Sequence, residues 1–297
     1  MSELDEQFRQ RRAALANALH EVIEALNRAG VQPLVLKGSM SLISGSPEWR
    51  FQRDIDFAVE PAVADAVLAA LRACGFRVRE DMEQRPHHLK PMQRDDIPGL
   101  LEPHIRLAGD RARAVLPDDV LMGAVRECRW RGVRYMAMSN SGFLLHGLAH
   151  HYVQNRGFIY GTVSLKGLLE FAHSITGLQL TDVDELNLLV AELPRLRTGL
   201  QLWCALAKRL LGAAPAEIPV HPAIDKHATI VSDRYQRGRT VSPATGVLEH
   251  IALTARLAPT KSLLSILVPP VRDGCHKAVW RNLEMQRRNA SGILADG

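Results

Sequence analysis

The six residues Asp54-Ile55-Asp56-Phe57-Ala58-Val59 alternate polar or small with large apolar side chains, and they constrain the fold more than any other stretch. Side chains of a strand point to opposite faces in turn. Ile55, Phe57 and Val59 therefore share one face, which needs a core, while Asp54 and Asp56 stand side by side on the other, at the rim. Two like charges at that spacing repel unless a cation holds them, and hard oxygen ligands suit Mg2+. Neutralising one of such a pair should leave a metal-free fold unharmed. Upstream, the apolar run Val35-Leu36 passes through Lys37 into Gly38-Ser39, which reads as a strand-to-helix turn. Gly38 would let the backbone approach a ligand closely, and Ser39 would cap a helix beginning near Met40. A helix start offers free N–H groups to phosphate. A phosphate cradle beside paired carboxylates is the equipment of metal-assisted phosphoryl or nucleotidyl transfer.

Further along, Leu100 to Leu107 reads as a strand with Glu102, His104 and Arg106 on one face and Leu101, Pro103, Ile105 and Leu107 on the other. Pro103 lacks an N–H, so an edge strand or bulge is expected there. Lys37 should reach the rim, to a phosphate or to an aspartate. Arg50 and Arg53 flank the carboxylates and could orient them or meet a triphosphate.

Gly-Ser, a spacer and Asp-x-Asp resemble the DNA polymerase β-type nucleotidyltransferase superfamily. More closely, Leu36-Lys37-Gly38, Arg50 four residues before Asp54, Asp-Ile-Asp-Phe-Ala-Val and Glu102-Pro103-His104 are similar to the uncharacterised bacterial nucleotidyltransferase-like family. The resemblance runs from about residue 34 to about residue 175. It implies that Glu102 is a third carboxylate from a neighbouring strand, that Arg50 is structural, and that the helices holding His146 and Lys166 to Glu170 face the nucleotide. Arg53 stands where relatives usually have a small residue, which would narrow the site. The expected reaction moves a nucleoside monophosphate from an NTP to an acceptor hydroxyl. Asp54, Asp56 and Glu102 would be catalytic and hold two Mg2+ ions. Gly38, Ser39, Lys37, Arg50, Arg53, His104 and Arg106 would serve the nucleotide. The acceptor, whether small molecule, peptide, protein or RNA, is not legible. Three other readings share these residues: a regulatory or antitoxin-type enzyme acting on RNA or protein, a peptide-tailoring enzyme, and a nucleotide-binding module without turnover.

The remaining chain bounds the reading. At 297 residues with 46% hydrophobic content, it is large enough for two domains or one large one. A net charge of +5 is modestly basic, and 5% aromatic residues argue against a platform for stacked bases. Cys74, Cys128, Cys204 and Cys275 form no Cys-x-x-Cys pair, which speaks against a zinc ribbon or disulfide scaffold. A charged N-terminus and no long apolar run lead us to expect a cytoplasmic protein away from membranes. There is no P-loop, dinucleotide-binding glycine motif or Gly-x-Ser-x-Gly elbow. His146 and His150 are four apart on a helix, a spacing more often used for packing than for metal. His87-His88 reads as a surface turn. The expected fold is α+β: a small mixed sheet over residues 1–138 with helices on one face, then a mainly helical domain over 139–297 that covers the cleft. Helices are expected at 3–29, 63–75, 143–152, 163–175, 182–211, 224–236, 243–258 and 273–288, with a loose tail beyond.

Overall fold

The computed structural model describes residues 3–45, 47, 50–154, 164–191, 193–213 and 218–237. The helices expected at 243–258 and 273–288, the tail and Cys275 lie outside these residues. The first half runs α1 (Glu3–Arg28), β1 (Leu34–Val35), α2 (Ser39–Ser44), β2 (Asp54–Ala58), α3 (Ala64–Ala73), β3 (Arg77–Val78), β4 (Met92–Gln93) and β5 (Leu100–His104). Two short helices, α4 (Asp110–Arg113) and α5 (Asp118–Met122), lead to the hairpin β6 (Val125–Trp130) and β7 (Val133–Met138). From there the described chain is helical: α6 (Asn140–Leu148), a π-helical stretch (Ala149–Gln154), α7 (Leu165–Thr176), α8 (Leu180–Ala191), α9 (Pro194–Leu211) and α10 (Pro222–Gln236). Among the described residues no helix is long and apolar enough to cross a membrane.

The seven strands form one mixed sheet in the order β3-β4-β5-β2-β1-β7-β6. Pairs β2–β5 and β1–β7 are parallel, and the others are antiparallel. Leu15, Leu19, Val22, Ile23 and Leu26 of α1 recur at three- and four-residue steps and are all buried, as helical periodicity requires. They pack with Val67 and Leu71 of α3 onto Val35, Ile55, Phe57 and Leu101. The opposite sheet face carries Leu34, Leu36, Ala58 and Met138, which join Leu144, Leu148, Phe171 and Trp203 of the helical half in a second core. Helices therefore cover both faces rather than one, and the helical half is continuous with the core of the sheet.

Several local expectations change. β7 is the second arm of a hairpin with β6. Trp130 pairs with Val133, and Arg131 and Gly132 both have positive φ (49° and 88°), the two-residue turn that suits twisted strands. β6 escaped notice because its charged residues hide the alternation. Pro103 lies in an interior strand between β2 and residues 87–89. Its carbonyl accepts the N–H of Leu89 (2.9 Å), so its missing N–H faces an irregular segment and no ladder bond to β2 is lost. Ser139 caps α6, accepting the N–H of Gly142 at 3.2 Å.

Candidate active site

In the parallel β2–β5 pair, Asp54 lies opposite Leu100, Asp56 opposite Glu102 and Ala58 opposite His104. The register puts all three carboxylates and the imidazole on the sheet face that the helical half covers. β1 delivers the counter-charge. Leu36 donates its N–H to the carbonyl of Asp56 (3.1 Å), and Lys37 then turns with φ 46°. That conformation costs a non-glycine residue about 1 kcal/mol. The Lys37 Nζ meets Asp56 Oδ1 at 2.8 Å and lies 3.3 Å from His104 Nε2, which is 3.1 Å from the same carboxylate oxygen.

Ser39 is not the cap of α2. Gly38 occupies that position without a side-chain bond, while the fully buried Ser39 Oγ accepts the N–H of Asp56 at 2.7 Å. The serine fixes the aspartate's backbone instead of the helix end. Gly38 is needed for a close approach. A Cβ there would stand 1.7 Å from Gln52 Oε1, so the Gln52 amide fills the space against the turn. Asp56 is likewise not a rim residue: it is 6% exposed.

Burial alone would raise the Asp56 carboxyl, but the Lys37 ammonium and the His104 hydrogen bond outweigh it and hold it well below the usual carboxylate range. Asp54 and Glu102 go the other way. Burial, and next the charge on Asp56, push both above their ordinary values. Burial pushes His104 down to about 4 despite its bond to Asp56. Three carboxylates thus share one close ammonium, and two of them ionise reluctantly. Ligand atoms of Asp56, Glu102 and His104 lie within 4.8 Å of one another. Such a donor set, short of positive charge, fits a divalent cation.

The structure brings together Lys37, Ser39, Asp54, Asp56, Glu102 and His104. Arg50 belongs to a neighbouring contact: its Nη2 reaches Glu170 on α7 at 3.1 Å, with both side chains largely buried. Arg53 lies over the Phe51 ring, 5.9 Å from its centroid, and Arg106 pairs with Asp110 at 3.4 Å on the surface. His146 hydrogen-bonds the Leu107 carbonyl through Nε2 at 2.8 Å, a packing role. A cavity of about 100 Å³ beside Lys37 is lined by Phe143, His150, His151, Glu170 and Trp203. The sequence reading missed Gln52, and it placed His87 and His88 wrongly. They do form a turn, but both are buried against His104. The only sequence signal was their nearness to a strand of histidine and acid.

These histidines set the acid stability. Burial pushes His87, His104 and His146 down to about 4, His88 to about 2, and His150 well below its usual value. Such groups take up protons more readily when unfolded, so their contribution is complete above about pH 6.5 and is lost as pH falls toward 4. The raised Asp54, Glu102 and Asp118 act oppositely, favouring the fold when protonated, but the lowered Asp56 and Glu170 act with the five imidazoles and outweigh them. Urea midpoints of the metal-free protein should fall between pH 6.5 and 4.5; a flat or rising profile would contradict the buried neutral histidines.

Comparison with known proteins names the class. The model of the family described as uncharacterised nucleotidyltransferase matches residues 1–212. The chain belongs to this family and is a nucleotidyltransferase enzyme. No curated protein matches it. Two solved structures of the antibiotic-resistance factor ANT(2'')-Ia are similar to it. The solution structure is 14% identical, covers 61% of this chain and 91% of that one, and has a TM-score of 0.43. The crystal structure of ANT(2'')-Ia in complex with adenylyl-2''-tobramycin is 16% identical, covers 61% and 97%, and has the same TM-score.

Proposed function

We propose that the chain is a Mg2+-dependent enzyme moving a nucleoside monophosphate from an NTP to an acceptor hydroxyl, with release of pyrophosphate. The observation that carries this is the register of β2 on β5, which sets Asp56 beside Glu102 with Asp54 on the same strand and the Lys37 ammonium on Asp56. Asp54, Asp56 and Glu102 are the residues that would hold Mg2+, as two ions. What the metal supplies, when bound, is charge stabilisation on the phosphates. The rest falls to the protein. Glu102, beside Asp56 across the β2–β5 register, accepts the proton of the acceptor hydroxyl. The acceptor oxygen then bonds to the α-phosphorus as the bond to pyrophosphate breaks.

Lys37, whose ammonium lies beside Asp56, would meet the departing phosphates. A phosphate reaching Gly38 would displace the Gln52 amide, and Ser39 would serve the same side by holding the Asp56 backbone. His104 orients Asp56 through Nε2. Arg50 would act through Glu170, holding α7 over the nucleotide, while Arg53 and Arg106 would guard the approaches. The boundary proposed at residue 138 separates the strands bearing these groups from the helices that cover them.

The test is ligand-dependent stability. An NTP that binds the folded state raises the melting temperature by mass action. At least one of the four NTPs should stabilise the protein more with Mg2+ than with EDTA. Equal shifts, or none, across all four would overturn the reading.

A further inference from the structure

Beneath the carboxylates lies a second group of donors, of which the proposed reaction uses only His104. The backbone of 87–89 runs along β5: Ile105 donates its N–H to the His87 carbonyl (3.0 Å), and His88 and His104 form an isolated antiparallel bridge. This stacks His88 on His104 with ring centroids 3.8 Å apart, and sets His87 against His88 at 4.2 Å. One ring nitrogen from each of the three lies within 4.8 Å of the other two. All three residues are buried, at 8%, 2% and 1% exposure for His87, His88 and His104.

Among the described residues two nitrogens here lack partners. His88 Nε2 and His104 Nδ1 are buried without a hydrogen bond, a state that costs about 1–3 kcal/mol for each such polar group. A core histidine placed only for packing would normally bond a carbonyl, as His146 does with Leu107. Here two adjacent rings forgo that bond and turn toward each other instead. Glu102 stands at the edge of the group, its Oε2 3.7 Å from His88 Nδ1.

We infer that His87, His88 and His104 form a closed site for a borderline transition-metal ion of the Zn2+ class, with Glu102 as the adjacent carboxylate. Three imidazoles are the wrong donors for Mg2+, which takes oxygen, and suitable ones for Zn2+ or Co2+. Neutral imidazole is the ligating form, and two of these rings already hold a nitrogen without a hydrogen bond among the described residues. The low exposure marks the site as structural: it leaves no open position for a substrate. An ion there would pin the 87–88 turn to β5. It would also fix the ring of His104, whose other nitrogen bonds Asp56, and so hold the aspartate's orientation from behind.

Co2+ tests this without any assay of transfer. Metal-free full-length protein titrated with Co2+ should develop visible ligand-field bands at one ion per chain, and Zn2+ should erase them. X-ray absorption on the Co2+ form should show imidazole as the main donor. His88→Gln should lose the bands and weaken Co2+ binding by more than the ~10–100-fold that loss of an outer-sphere partner costs. Asp54→Asn, outside the trio, should keep them. A donor shell mainly of oxygen, bands unchanged in His88→Gln, or bands lost in Asp54→Asn would each overturn the inference. If His88→Gln does not fold, the wild-type absorption spectrum decides alone. Bands without any Mg2+-dependent NTP stabilisation would sink the proposed reaction and leave this site standing.

Discussion

Asp56→Asn is expected to lower the rate of nucleotidyl transfer at least ~100-fold, about 3 kcal/mol, and to weaken the metal-free fold as well. The rate effect follows from charge. Asn keeps the size and one oxygen but withdraws the carboxylate that Lys37 and His104 converge on. The stability effect follows from burial. Asp56 is ionised in the folded protein because Lys37 compensates it, and removing one member of a buried pair costs about 3–5 kcal/mol. Asn still accepts a hydrogen bond from the ammonium, so the lower end applies. Asp54→Asn is the contrast: its carboxyl is raised by burial and by Asp56, so neutralising it relieves repulsion and should leave the metal-free protein as stable or more so. Urea unfolding in EDTA separates the two. Full stability in Asp56→Asn would show the Lys37 pair to be incidental; full activity would remove Asp56 from the reaction.

Arg50→Met should be nearly as damaging, for a different reason. Arg50 precedes β2 and Glu170 lies on α7, so their 3.1 Å pair ties the strand half to the helical half. Lys166 and His151, each 3.9 Å from Glu170, are weaker partners that cannot replace a buried guanidinium. Leaving Glu170 without Arg50 is expected to cost about 3 kcal/mol, a fall in melting temperature of ~6–12 °C for a chain of this size. Replacing both residues, Arg50→Met with Glu170→Met, should recover much of the loss, because no charge is then stranded. Thermal unfolding of the two single variants and the double variant measures the coupling. A double variant that loses the sum of the two singles would show that the residues do not act as a pair.

Much of the site was readable because strand alternation leaves few choices. Once Ile55 and Phe57 are assigned to a core, Asp54 and Asp56 must face the other way, and the same logic places Glu102 with His104. What alternation cannot give is depth. Asp56 read as a rim carboxylate, although burial opposite the helical half and the reach of Lys37 make it an interior ion. Ser39 read as a cap because serine before a helix usually is one; a competing donor, the Asp56 N–H, lies on a strand 17 residues away. Arg106 continued the polar face on paper, but β5 ends at His104 and the arginine leaves with the chain. His87 and His88 were misplaced because two consecutive polar rings suggest a surface until another strand is known to cover them.

The charge pattern also bears on the order in which the sheet assembles. β1 meets β2 across 24 residues, from Leu34 to Ala58, while β2 meets β5 across 46, from Asp56 to Glu102. Loop entropy hardly separates the two closures, since doubling a loop adds only about 0.6 kcal/mol. The carboxylates do separate them. Glu102 docking beside a bare Asp56 brings two negative charges together out of water. If β1 has already paired, Lys37 is in place and Glu102 arrives beside a neutralised partner. The lysine at the end of β1 thus favours a folding order in which the hairpin-like β1–β2 contact precedes the long parallel crossover.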